Sequence, residues 1–199
     1  MVVSKIEIEG LLIIAPKIYG DDRGYFFESF REDVLNSYGV DKFVQDNQSL
    51  SSKGTLRGLH FQHHPHAQGK LVRVIKGSVL DVAVDIRKDS PTYGHHFTIE
   101  LSEINTTMFY IPPGFAHGFL TLEDHTIFSY KCTNYYNKES EGAIRWNSPT
   151  LKIDWDIVQP NLSDKDKLAP LFKDFKSPFS LSNLSRLLVC DIMLFWNWQ

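Results

Sequence analysis

At 199 residues, with 42% hydrophobic and 23% charged residues and a formal net charge of −3, the chain has the make-up of one compact soluble domain with a full hydrophobic core. No basic stripe stands out, so nucleic acid is not expected as a partner. No run of about 18 apolar residues occurs, which argues against a membrane-spanning helix. Two cysteines, Cys132 and Cys190, make neither a disulfide framework nor a zinc set, and a reduced, cytoplasmic location is the simple inference.

The first stretch, MVVSKIEIEGLLII, places an acidic residue inside its apolar run and lacks a small-residue cleavage site. It reads as a first strand rather than a signal peptide. DDRG at 21–24 is by itself an ordinary turn with solvated charge, and REDVLNSYG predicts two helical turns ended by Gly39. KLVRVIKGSVLDVAVDIR, residues 70–87, carries two strand-like runs, and Lys76-Gly77-Ser78 between them is a hairpin signal. In the second run Leu80, Val82, Val84 and Ile86 fall on one face, with Val79, Asp81, Ala83, Asp85 and Arg87 on the other. HHFTIEL, TMFYIP, GFLTL and HTIFSYKCTNYY add short strands separated by polar or Pro/Gly turns, and LSDKDKLAP another short helix. Closely spaced short strands predict an all-β sandwich or barrel. No repeat and no Gly/Ser-rich linker divides the chain, so residues 1–179 read as one domain. The apolar tail at 180–199 is open to three readings: an element covering the barrel, an oligomer contact, or a segment peculiar to this chain.

The stretch TLRGLHFQHHPHAQGKLVRVIKG, residues 55–77, packs four histidines into seven positions, which raises the question of a metal. Its spacing resembles the first motif of the cupin superfamily, in which glycine is followed after five residues by His-x-His, then a glutamate, then after six residues a glycine. Gly54, His60 and Gly77 fit, but Gln62 stands at the second histidine and Lys70 at the glutamate. The second motif, P-x-G-x-x-H, stands as Pro112, Gly114 and His117. A protonated lysine only donates, and its charge repels a divalent cation, so no metal is expected. His63, His64 and His66 lie in a proline-containing turn with no carboxylate or cysteine at ligand spacing, although His66 is near enough in sequence to reach the site. The barrel mouth then holds a histidine that can take a proton and a lysine that can stabilise negative charge. That pairing suits removal of a proton α to a carbonyl. Tyr130 shares a strand face with Phe128 and Cys132 and is a candidate acid.

Longer blocks carry a more specific likeness. DDRGYFFESF, FVQDNQSLSSKGTLRGLHFQ, QGKLVRVIKGSVLDVAVDIR, IPPGFAHGFL, YKCTNYYNKESEGAIRWN and LSDKDK resemble the dTDP-4-dehydrorhamnose 3,5-epimerase family of the cupin superfamily, from about residue 4 to residue 178. The resemblance implies a cupin-type double-stranded β-helix, a jelly-roll barrel with a few short helices. It implies that His60 is the general base, oriented by Asp166, that Tyr130 is the acid on the opposite face of the sugar, and that Lys70 stabilises the enolate at the C4 carbonyl oxygen. The choice of Asp166 over Asp164 rests on the motif match alone. Arg57 and His117 are implied to hold the nucleotide-sugar, Arg57 through phosphate. Arg23, Glu28, Gln45, Asp46, Asn47, Glu141 and Lys165 match other substrate-contacting positions. The family further implies a homodimer in which the first part of the chain, with Arg23 and Glu28, serves the neighbour's site.

The implied substrate is dTDP-4-keto-6-deoxy-D-glucose, inverted at C3 and C5 to dTDP-4-keto-L-rhamnose without a cofactor, because the C4 ketone is itself the electron sink. The absence of a Gly-rich dinucleotide fingerprint agrees. A mono-epimerase acting at C3 or C5 alone shares these motifs. A metal-dependent cupin isomerase or oxygenase is argued against by Gln62 and Lys70. A catalytically silent sugar-binding barrel predicts loss of His60, Lys70 or Tyr130, and all three are present.

Overall fold

The computed structural model describes residues 1–181; Cys190 and most of the apolar tail lie outside the described residues. The strands, in chain order, are β1 (Val2–Lys5), β2 (Leu12–Ala15), β3 (Tyr19–Asp21), β4 (Gly24–Phe26), β5 (Gln45–Ser51), β6 (Leu56–Gln62), β7 (Lys70–Lys76), β8 (Ser78–Asp85), β9 (His96–Ser102), β10 (Met108–Ile111), β11 (Phe115–Thr121), β12 (Thr126–Cys132) and β13 (Glu141–Ala143). Helix α1 (Glu32–Asn36) precedes β5 and α2 (Asp164–Leu168) follows β13. A six-stranded sheet in the order β1-β2-β10-β7-β12-β5 faces a five-stranded sheet in the order β13-β6-β11-β8-β9, and β3-β4 stands apart as a hairpin. This is the cupin-type all-β architecture, with every strand pair antiparallel.

Strand alternation explains three apolar layers. Val72, Val74, Phe109 and Phe128 of one sheet meet Val79, Ala83, Phe115 and Phe119 of the other between the sheets. Leu56, Leu59, Phe61, Val82, Val84 and Leu120 cover the outer face of the five-stranded sheet, beneath Ile144, Trp155 and Phe179. Leu12, Ile14, Leu71 and Met108 do the same for the six-stranded sheet, beneath Leu35 of α1 and Val40. β8 therefore splits its faces as its alternation predicts, with both sides buried.

Two expectations are corrected. The N-terminal stretch is two paired strands, β1 and β2, with Gly10 at φ 102° in the turn between them. The segment at Lys76-Gly77-Ser78 is not a hairpin, because β7 and β8 belong to different sheets. One residue separates the strands, too few to reverse the chain into pairing, so it turns a corner between the sheets at Gly77. Gly77 sits at φ 79° and a Cβ there would come within 2.4 Å of Thr126 Oγ1, so no other residue fits the corner.

At the end of β8, Asp85 is wholly buried and accepts from Arg87 Nη2 (2.7 Å), Arg87 Nε (2.9 Å), Ser90 Oγ (2.6 Å) and Thr92 Oγ1 (2.7 Å). Arg87 also donates to the Glu9 carbonyl and stacks 4.6 Å from the Phe115 ring, which ties the N-terminal turn to the barrel. Arg87→Met leaves a buried carboxylate without its counter-charge. It is expected to cost about 3 kcal/mol and to lower the melting temperature by roughly 10 °C in calorimetry, without touching the cleft.

Candidate active site

A cavity of about 460 Å³ lies between the two sheets, lined from both. From the five-stranded sheet Arg57, His60 and His117 line it; from the six-stranded sheet Lys70 and Tyr130 do; Ser163 and Asp166 close it from the α2 side. A second cavity of about 300 Å³ shares His60, Lys70 and Tyr130 and continues along Gln45, Asn47, Gln62, Tyr136 and Glu141. The three residues common to both therefore sit where the two spaces meet.

His60 owes its direction to an irregularity in β6. Gly58 and Leu59 together oppose the single residue Gly118 of β11, since His60 pairs with His117 and Arg57 with Phe119. Such a bulge adds a residue to one strand and reverses its alternation beyond that point. Arg57 and His60, three positions apart, consequently both line the cavity, while Leu56, Leu59 and Phe61 point into the outer core. Close approach makes the bulge possible: a Cβ on Gly58, at φ 137°, would lie 2.5 Å from Gly118 Cα.

His60 Nε2 lies 2.5 Å from Asp166 Oδ1. Asp166 is 2% exposed and sits in the first turn of α2. Ser163 caps that helix: its Oγ accepts from the Asp166 amide (3.2 Å) and donates to Asp166 Oδ2 (2.7 Å). Burial pushes the Asp166 pKa up, but hydrogen bonds from His60 and Ser163 and the charge of Lys165 outweigh it and hold the carboxyl below its usual range. An ionised Asp166 accepts, so Nε2 of His60 carries the proton and Nδ1 offers the lone pair. Asp164 is ruled out as the partner: its side chain is 94% exposed and pairs with Lys167.

This pairing has a sign in acid. A carboxyl whose folded pKa lies below the unfolded value of about 3.9 adds stability above that pH and loses it as pH falls through the folded value. Urea midpoints measured from pH 6 down to pH 3 should fall more steeply for the wild-type chain than for Asp166→Asn.

Across the cavity, burial lowers the pKa of Lys70 and raises that of Tyr130, so the phenol keeps its proton. The Lys70 ammonium stands 6.0 Å from the Tyr130 ring centre. His117 Nε2 lies 3.0 Å from both oxygens of Asp81, which is 0% exposed; burial lowers the His117 pKa against the pull of that carboxyl, favouring the neutral ring. A base on one wall faces an acid and a cation on the other, an arrangement able to move a proton to and from a carbon beside a carbonyl.

The other sequence-predicted residues divide. Gln45, Asn47 and Glu141 line the second cavity, and Lys165 forms an ion pair with Glu141. Asp46 does not join them. It lies between Gln45 and Asn47 on β5, so alternation turns it to the other face, where it pairs with Lys131 at 2.9 Å. Arg23 and Glu28 line neither cavity; Arg23, 90% exposed, pairs with Asp21, and Glu28 lies 3.7 Å from Arg31. His63, His64 and His66 occupy the turn after β6 and line neither cavity. Among the described residues, no three His, Cys, Asp or Glu side chains are grouped to hold a metal ion. Asp81, Ser163 and Tyr136 were missed as site residues. Asp81 was visible as a charge in the otherwise apolar row Val79-Asp81-Ala83, and Ser163 as the first residue of a Ser-x-x-Asp capping pattern.

A family model described as dTDP-4-dehydrorhamnose 3,5-epimerase matches residues 5–174. The Salmonella typhimurium dTDP-4-dehydrorhamnose 3,5-epimerase is 52% identical over 174 residues, covering 86% of this chain and 95% of that protein. The crystal structure of the Legionella pneumophila dTDP-6-deoxy-D-glucose-3,5-epimerase, in complex with dTDP-4-keto-L-rhamnose, superposes with a TM-score of 0.86 at 48% identity, covering 90% and 97% of the two chains. A more distant likeness is a 3′-monoepimerase from Streptomyces bikiniensis in complex with dTDP-quinovose: TM-score 0.79, 32% identity, 92% and 89% covered. With a match over most of its length and the His60–Asp166 pair, phenol and half-buried lysine in one cleft, this chain belongs to the dTDP-4-dehydrorhamnose 3,5-epimerase family.

Proposed function

We propose that this chain is an isomerase that inverts C3 and C5 of dTDP-4-keto-6-deoxy-D-glucose, yielding dTDP-4-keto-L-rhamnose. The observation that carries the reading is the opposition of the His60–Asp166 pair on one wall to Tyr130 and Lys70 on the other. Both carbons flank the C4 ketone, so one carbonyl acidifies both protons. His60 removes the proton through Nδ1, and Asp166 favours the imidazolium that forms. Lys70 lies against the C4 oxygen and lowers the enolate, and Tyr130 returns a proton from the opposite face. Arg57 and His117 hold the nucleotide-sugar, with Gln45, Asn47, Glu141 and Lys165 along the second cavity. The substrate carries its own electron sink, so the step needs no cofactor.

A homodimer and a cytoplasmic setting belong to the same reading. The β3–β4 hairpin exposes Tyr19, Tyr25 and Phe26 and carries Arg23 away from this chain's own cavities, which suits a role, with Glu28, at a neighbour's site. Light scattering should give twice the chain mass, and inactive Arg23→Ala and His60→Asn subunits should regain turnover when mixed. Monomeric protein, or mixtures that stay silent, would remove the exchange of N-terminal contacts.

The reaction is tested by proton NMR of dTDP-4-keto-6-deoxyglucose incubated with the protein in D₂O without added metal. Deuterium should enter at both C3 and C5. The likeness to a 3′-monoepimerase makes single-site exchange the second reading, and entry at one carbon only would select it. Exchange at neither carbon, with folded protein, would overturn both.

A further inference from the structure

Gln62 stands where a metal-binding cupin motif has its second histidine, and the mechanism above gives it no task. It is the last residue of β6, 5% exposed, and opposite Glu141 in the pairing of β6 with β13. Its carboxamide is fully engaged, yet none of its partners is a side chain of the site. Nε2 donates to the His66 carbonyl (2.7 Å) and the Tyr135 carbonyl (3.2 Å), and Oε1 accepts from the Asn137 amide (2.8 Å). One side chain thus clamps the segment 135–137 against the turn that follows β6.

That segment bears on the second cavity. Tyr136 lines it, with its hydroxyl 3.3 Å from Glu141 Oε2, and its amide donates to Gln45 Oε1 at 2.8 Å. Asn137 caps the 3₁₀ turn Lys138–Ser140 through Ser140 N (2.9 Å), and that turn leads directly into Glu141. The positions of Tyr136 and Glu141 therefore both depend on residues that Gln62 holds. Its amide makes no hydrogen bond to His60, Lys70 or Tyr130 among the described contacts.

We propose that Gln62 is a positioning residue for substrate binding: the position of a cupin metal ligand is used here to lock the Tyr135–Asn137 segment, and with it the wall of the second cavity. Resting on the functional reading above, this assigns Gln62 to the binding of the nucleotide-sugar and not to the proton transfers. A histidine could not replace it, since two carbonyls and one amide need two donors and one acceptor in a single planar group.

The test is Gln62→Glu, which keeps the shape but turns an acceptor toward two partly buried backbone carbonyls. Amide hydrogen exchange in segment 133–138 should quicken by at least about tenfold, and KM should rise by at least about tenfold with kcat within roughly threefold of wild type. A merely structural amide would lower the melting temperature and the active fraction while KM stayed put. Unchanged KM, or a kcat that falls with KM unchanged, overturns the proposal. Should Gln62→Glu fail to fold, Gln62→Asn, which withdraws the amide by one methylene, carries the same comparison. Wild-type turnover tests the functional reading by itself, and the exchange measurement needs no substrate, so the two failures are distinguishable.

Discussion

His60→Asn is expected to lower kcat/KM for the 4-keto sugar by about 10³-fold or more, near the upper range of a positioned general base, and to abolish deuterium entry at both carbons. Asparagine ends near the position of Nδ1, short of Asp166, so the buried carboxylate loses Nε2 and keeps Ser163, and the melting temperature should fall by a few degrees. What it cannot do is accept a proton and carry the resulting charge. Asp166→Asn provides the companion result. An amide in that place can donate to Nε2 of His60, which drives the ring proton to Nδ1 and removes the lone pair from the side facing the substrate. A large loss in kcat with a smaller change in KM is expected, because the ring stays in place in the wrong tautomer. If His60→Asn retained a tenth of wild-type turnover, His60 would not be the base, and His117 would be the next residue to replace.

The second large effect is at Lys70, where activity and stability should move apart. Lys70→Met removes the cation beside the developing enolate and should cost about 10²- to 10³-fold in kcat, the range for losing one preorganised electrostatic contact. The same change replaces a half-buried, partly desolvated ammonium, for which no ion-pair partner is found among the described residues, by an apolar chain of similar length. Burying a charge is unfavourable, so the variant should melt at or above the wild-type temperature. The lowered Lys70 pKa also has a sign in activity. The group works as a cation, so turnover should fall on the alkaline side at a pH below an ordinary lysine's value of about 10.4. A Lys70→Met chain that melts lower yet turns over normally would make the lysine structural.

Much of the site was legible because its residues sit on regular strands. Tyr130 follows Phe128 at period two on β12, and both point between the sheets. Val79 and Ala83 point inward and Val82 and Val84 outward on β8, as alternation requires. The substitutions at the cupin positions, Gln62 and Lys70, could also be read without coordinates, because the argument concerns sign and donor chemistry rather than distance. The short helices were visible in their punctuation, Gly39 after one and Ser163 before the other.

What failed were relations that depend on where the chain leaves its period. Period-two counting puts Arg57 and His60 on opposite faces of β6, and only the bulge against Gly118 brings them into one cavity. Asp46 is the opposite case: the strand is regular, alternation alone sets Asp46 on the face away from Gln45 and Asn47, and only the resemblance had grouped the three together. At Gly77 the residues signal a reversal, but one residue is too short for pairing and the strands part into separate sheets. Asp166 lies 106 positions from His60, and nothing in a run of alternating Asp and Lys distinguishes it from Asp164 until α2 is docked against β6.

The sequence by itself determined the strand content, the inward faces of β8 and β12, and the chemical character of the cleft, because side-chain alternation and proton chemistry are local properties of the residues. The tertiary structure alone decided which groups meet: His60 with Asp166, His117 with Asp81, and Gln62 with two backbone segments. Apart from the bond from Gln62 to the nearby His66 carbonyl, those contacts join segments remote in sequence, and their geometry is set by sheet register, a bulge and the packing of a capped helix, none of which a local pattern encodes.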